Sequence, residues 1–196
     1  MGKSPSPPTL RGMCRDLPSA RACCRTIYRG RKGTTMSNNH APASSRSASM
    51  GVADVRNICL VGSGGSGKTT LAERLLFATG VIKRAGSIEE GNTVSDYTEE
   101  EKSYKHSLQP SFLHFDYEGH EVHLIDTPGL VDFLGHTIAC FPAVETIAVV
   151  IDAHKGIDST SRRLMAVAAE RQIPRMIIIN KIEENAAGLP ELVAQI

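Results

Sequence analysis

From Val55 onward the chain alternates between two kinds of apolar pattern. The first kind is short and continuous: Asn57-Ile58-Cys59-Leu60-Val61, Glu145-Thr146-Ile147-Ala148-Val149-Val150-Ile151 and Met176-Ile177-Ile178-Ile179. Runs of this length, rich in β-branched residues, predict strands buried on both faces. The second kind follows helical spacing, over 70–78 and again over 161–169, where Asp158 or Ser159 is the expected N-cap. Between them, Ser111-Phe112-Leu113-His114-Phe115-Asp116-Tyr117 and Glu121-Val122-His123-Leu124-Ile125 flank Glu118-Gly119, which predicts a hairpin. The expectation is an α/β fold: a mostly parallel sheet with one antiparallel edge hairpin and helices on both faces.

The first fifty residues follow neither pattern. They are rich in Pro, Ser and Arg and lack apolar periodicity, so 1–53 is expected to be a disordered leader, basic and then Ser-rich, before a domain over 54–196. Charge divides at the same place. Residues 1–35 hold eight Lys or Arg against Asp16 alone, so a whole-chain net charge of +1 leaves the remainder mildly acidic. That balance gives no electrostatic basis for direct nucleic-acid binding. The leader's composition resembles a transit peptide, but Pro5, Pro7, Pro8 and Pro18 interrupt any amphipathic helix. Met1-Gly2 with Ser6 fits a myristoylation pattern only formally, with Pro5 inside it. The reading preferred here is a translated upstream segment, with the true start at Met36 or Met50. Cys14, Cys23, Cys24, Cys59 and Cys140 show no zinc-ligand spacing, which fits a reduced, cytoplasmic protein. No apolar run reaches membrane-spanning length, so no membrane partner is expected.

The chemistry begins where the first strand ends. Gly62-Ser63-Gly64-Gly65-Ser66-Gly67-Lys68-Thr69 is a complete phosphate-binding loop between a strand and a helix. Its glycines let backbone N–H groups turn inward around a phosphate. Ser63, Gly64, Gly65, Ser66, Gly67, Lys68, Thr69 and Thr70 are the candidate nucleotide contacts. Lys68 would supply a cation to the β/γ-phosphates, and Thr69 a ligand to Mg²⁺. Asp126-Thr127-Pro128-Gly129 follows directly on a strand. Asp126 would hold the Mg²⁺ water shell, and the Gly129 N–H would touch the γ-phosphate. Asn180-Lys181-Ile182-Glu183 ends the last strand. Asn180 would bond a guanine base, Lys181 would pack over it, and Glu183 would stand where Asp is usual, its carboxylate reaching one methylene further. Adenine or relaxed selectivity is the alternative.

In combination these residues resemble the translational GTPases, specifically elongation factor G and its divergent paralogues. Asp126-Thr127-Pro128-Gly129-Leu130-Val131-Asp132-Phe133 is similar to that family's D-T-P-G-H-V-D-F, and Gly67-Lys68-Thr69-Thr70-Leu71 to its G-K-T-T-L. Residues 88–101 resemble the start of its switch I, and the likeness runs from about Val55 to Ile196. It implies a P-loop G domain that binds GTP or GDP with Mg²⁺, works with the ribosome through domains not present in this sequence, and is a monomer. Lys68 and Gly129 would be its catalytic groups. Thr69, Asp126 and, by gapless counting back from Asp126, Ser107 would hold the metal. The departures concern hydrolysis: Leu130 replaces the family's His, Gly65 its loop Asp, and Tyr104-Lys105-His106 its Arg-Gly-Ile. Hydrolysis is therefore expected to be slow. The last strand and helix of such a domain are expected to be missing, which marks the chain as a fragment or truncated product. The rival readings are a non-hydrolysing GTP-sensing interaction protein and a non-functional truncated relic.

Overall fold

A computed structural model describes residues 51–184 and 188–196. The expected leader, its alternative starts at Met36 and Met50, its lipidation and transit readings and its three cysteines lie outside the described residues, apart from positions 51–53.

Five strands form one sheet in the order β2-β3-β1-β4-β5. β1 (Val55–Val61), β3 (His120–Asp126), β4 (Thr146–Asp152) and β5 (Arg175–Asn180) run parallel. β2 (Ser111–Tyr117) pairs antiparallel with β3 as the predicted edge hairpin. Its turn is Glu118-Gly119, and both residues have positive φ (47° and 82°). Two consecutive left-handed residues match the turn's twist to that of the strands, which keeps a two-residue connection unstrained.

The sheet is covered on both faces. β4 shows why: Ile147, Val149 and Ile151 point to one side and Ala148 and Val150 to the other, all buried. On the first side they pack with Leu134 and Phe141, with Leu164 and Ala168 of α4 (Ser159–Glu170), and with Leu192 of α5 (Leu189–Gln195). Leu134 opens α3 (Leu134–Ala139), and Phe141 follows it. On the second side Ala72 and Leu76 of α1 (Lys68–Ala78) meet Leu60, Leu113, Phe115 and Leu124. Of the two N-cap candidates for α4, Asp158 is the cap: its carboxylate accepts from the Ser161 N–H.

Pattern reading missed the shorter helices. α2 (Glu99–Tyr104) carries too few apolar residues for a periodicity, but Thr98 and Glu101 form a reciprocal capping box that a T-x-x-E search would have found. No helix among the described residues is long and apolar enough to cross a membrane. All four parallel strands end at the same edge, and that edge carries every motif.

Candidate functional site

The phosphate loop leaves β1 at Gly62 and enters α1 at Lys68. Gly62, Gly65 and Gly67 have positive φ, and a methyl on Gly62 or Gly67 would collide with the Val150 carbonyl or the Asn180 amide. Lys68 is buried and donates to the carbonyls of Gly62 and Ser63 at 3.0 and 2.9 Å. Burial lowers its pKa to about 8, although Asp126 and Asp158 oppose this. An ammonium held at that cost gains most from a partner with negative charge. Thr70, in contrast, is exposed on the first turn of α1.

The second cluster joins three segments. Thr69 donates to Asp126 Oδ2 at 2.7 Å, and Ser107 donates to Asp96 Oδ1 at 2.6 Å. The two hydroxyl oxygens also lie within hydrogen-bond distance of each other, at 3.3 Å, where either can donate. Asp126 Oδ1 is buried with no hydrogen-bond partner among the described residues. The buried Ser95 hydroxyl, itself without a partner, is close enough to ease the Asp126 charge, yet the two make no hydrogen bond of normal geometry. Burial raises the Asp126 pKa to about 6 against the opposing pull of Thr69 and Lys68. Hard oxygen donors converging beside an unpartnered carboxylate oxygen suit Mg²⁺, which takes one or two carboxylates together with substrate phosphates. Thr69, Ser107 and Asp126 therefore fit that ion.

Asp96 was not foreseen. It is buried, and burial raises its pKa, partly offset by the Ser107 hydrogen bond. Two other buried acids hold the segment that carries it. Glu101 accepts from the N–H groups of Leu108, Gln109 and Thr98. Glu73, on α1, accepts from those of Gly86 and Val94. The bonds of Asp96 and Glu73 join separate segments, so no local pattern marks them, whereas the Thr98 bond of Glu101 belongs to the capping box.

Switch II, the segment 126–133 that runs on from the end of β3, closes the other wall. Thr127 is anchored to the Leu60 carbonyl, and the Pro128 carbonyl accepts from Thr137, both in the interior. Gly129 lies against the phosphate loop: a methyl there would stand 2.5 Å from Lys68 Nζ and 2.7 Å from the Gly64 nitrogen. Leu130 is half-buried, with Cδ2 3.5 Å from where a Gly64 methyl would be. A cavity of about 230 Å³ lies among Lys68, Thr69, Ser107, Gly129 and Leu130. His106 lines it and is exposed, whereas His136 is exposed on α3 beside Phe133.

The β5 motif grips the loop from outside. Asn180 donates to the Ser66 carbonyl at 2.9 Å and Lys181 to the Gly65 carbonyl at 2.7 Å. Lys181 also bonds buried Asp152 at 2.8 Å; burial pushes that carboxyl up, but Lys181 and the His154 N–H outweigh it and hold its pKa low. Because a peptide is planar, a carbonyl held outward turns the next N–H inward. Asn180 and Lys181 thus orient the Gly67 and Ser66 amides of the anion nest. Glu183 sits exposed in a 3-10 turn (Ile182–Glu184) after Lys181.

Residues 53–196 match the model of the elongation factor Tu GTP binding domain. The chain is 38% identical over 141 residues to an elongation factor G-like protein of Mycobacterium tuberculosis, covering 72% of this chain and 20% of that one. It is 32% identical over 145 residues to mitochondrial ribosome-releasing factor 2 of Pongo abelii, covering 74% and 19%. A crystal structure of a Thermus thermophilus protein superposes with a TM-score of 0.69 at 36% identity, covering 73% of this chain and 22% of that one. The chain thus spans about a fifth of the length of these relatives. A β-hairpin-edged parallel sheet, a phosphate loop against a D-T-P-G switch, and these matches lead to one conclusion: the chain belongs to the translational GTPases, as a G domain of the elongation-factor-G-like kind.

Proposed function

We propose that residues 54–196 bind Mg²⁺ with GTP or GDP and hydrolyse GTP slowly, in a cycle coupled to the ribosome in the cytoplasm. The observation that carries this is the oxygen cluster of Thr69, Ser107 and Asp126, with the unpartnered Asp126 Oδ1, in the same cleft as buried Lys68. Mg²⁺ would neutralise phosphate charge there, and the chain's own groups would do the rest. Lys68 and the inward amides of the loop bind the β/γ-phosphates, and Gly129 N–H reports the γ-phosphate to switch II. Asn180, Lys181 and Glu183 select guanine. Water would attack in line, with catalysis by positioning and electrostatics. Leu130 offers the water no hydrogen bond, which supports a slow rate. The same residue favours a second reading, a GTP-sensing protein that does not turn over.

Titration of the chain with GTP, GDP and ATP in Mg²⁺, followed by single-turnover hydrolysis with and without ribosomes, tests both. Micromolar or tighter GTP binding with slow turnover supports the proposal. Absence of turnover under all conditions favours the sensor, and equal affinity for ATP overturns guanine selection.

A further inference from the structure

Two lysines are among the residues that line the cleft, Lys68 and Lys105. The phosphate-loop motif explains the first. Lys105 closes α2 in a left-handed conformation (φ 55°, ψ 36°), its N–H bonded to the Glu101 carbonyl. Glycine adopts that conformation freely and other residues seldom do, and the family resemblance places glycine there. Here a long cation stands in that conformation. Its Nζ pairs with Glu89 at 2.6 Å, and Glu89 lines the same cavity.

We propose that Lys105 is a second phosphate-binding cation of this cleft, parked on Glu89 until the γ-phosphate of a bound triphosphate takes it over, and that it makes the site discriminate GTP from GDP. The inference rests on the Mg²⁺-nucleotide reading above and extends it. Three observations support the exchange. The pair is solvent-accessible, with the Lys105 and Glu89 side chains 50% and 79% exposed, and such pairs are held weakly. A γ-phosphate offers several charged acceptors where Glu89 offers one carboxylate, and charge-assisted bonds to phosphate are the stronger kind. Glu89 would also repel an incoming phosphate, so the pair must open for a triphosphate to sit comfortably.

Position in the chain supports the same assignment. Lys105 precedes by two residues Ser107, whose hydroxyl is fixed beside Thr69 through Asp96. Lys105 and Ser107 line the same cleft as Lys68 and Gly129, so a phosphate held there lies in the cavity that Lys105 lines. A diphosphate lacks the group that would recruit it, so GDP would leave the Lys105–Glu89 pair in place.

The test is a fluorescence titration of the full chain with GTP and with GDP, each in Mg²⁺, for wild type, Lys105→Gln, Lys105→Arg and Glu89→Gln. Lys105→Gln should weaken GTP about 10-fold and leave GDP unchanged. Lys105→Arg should retain most of the GTP affinity, and Glu89→Gln should strengthen GTP by freeing the lysine. An unchanged GTP-to-GDP affinity ratio in Lys105→Gln overturns the inference alone. A wild type that binds neither nucleotide overturns the underlying reading and the inference with it.

Discussion

Thr69 donates its hydroxyl proton to one oxygen of Asp126, and the other oxygen of that buried carboxylate has no hydrogen-bond partner among the described residues. The pair is built for a third party. Without a cation, an ionised Asp126 keeps an uncompensated lone pair in the interior, which destabilises the fold.

A pH dependence follows for the metal-free protein. The Asp126 pKa is about 6 in the fold and 3.8 as the ordinary value. The folded state therefore binds more protons in that window, and stability falls as pH rises from about 4 to about 6. Chemical denaturation across this range should show that loss in the metal-free protein. Mg²⁺ with nucleotide should reverse it, and Asp126→Asn should abolish it. A flat profile for this group would mean that the carboxylate is already compensated.

Lys68→Ala should remove Mg²⁺-nucleotide binding, since it deletes the buried cation whose two bonds also tie Gly62 and Ser63. Equilibrium titration measures it. Wild-type affinity in the variant would defeat the phosphate-loop assignment.

Gly129→Ala probes how closely switch II lies on the loop. The added methyl would meet Lys68 Nζ at 2.5 Å and backbone atoms of Ser63 and Gly64 at 2.7 Å. Overpacking of this kind costs about 1–3 kcal/mol, read as a lower urea midpoint without nucleotide. An unchanged midpoint would show that switch II stands off the loop in solution.

Leu130→His should raise single-turnover GTP hydrolysis by about 10²–10⁴-fold with little change in GTP affinity, because the side chain would meet the attacking water and not the ground-state nucleotide. Leu130 lines the cleft and faces Gly64, so the variant's imidazole has room to enter. A folded variant with no gain would show that another group limits the chemistry.

Glu183→Asp should leave GTP binding unchanged or tighten it by shortening the carboxylate arm. Competition of GTP against ATP reads the outcome. A shift toward ATP would show that position 183 does not face the base.

The strands and the three motifs were legible because each is local. β4 reads as one unbroken apolar run, and Gly62–Thr69 carries its constraint in the glycines themselves. The roles of Glu73 and Asp96 were not legible, because each bonds amides or a hydroxyl of another segment, while for Glu101 only the capping-box half is written locally. Asn180 and Lys181 were read as base contacts, while the structure adds a bond from each to the phosphate loop, a relation between segments that no spacing rule encodes.

The sheet order also makes the site depend on contacts far apart in the chain. β1 lies in the middle, and both strands beside it come much later in the chain. The Thr69–Asp126 bond spans 57 residues, and the Asn180–Ser66 bond spans 114. Closing such long loops is slow, and none of the intermediate lengths of a growing chain holds the complete nest. A ligand held by groups on both sides of these bonds would favour chains in which both have closed over those in which neither has.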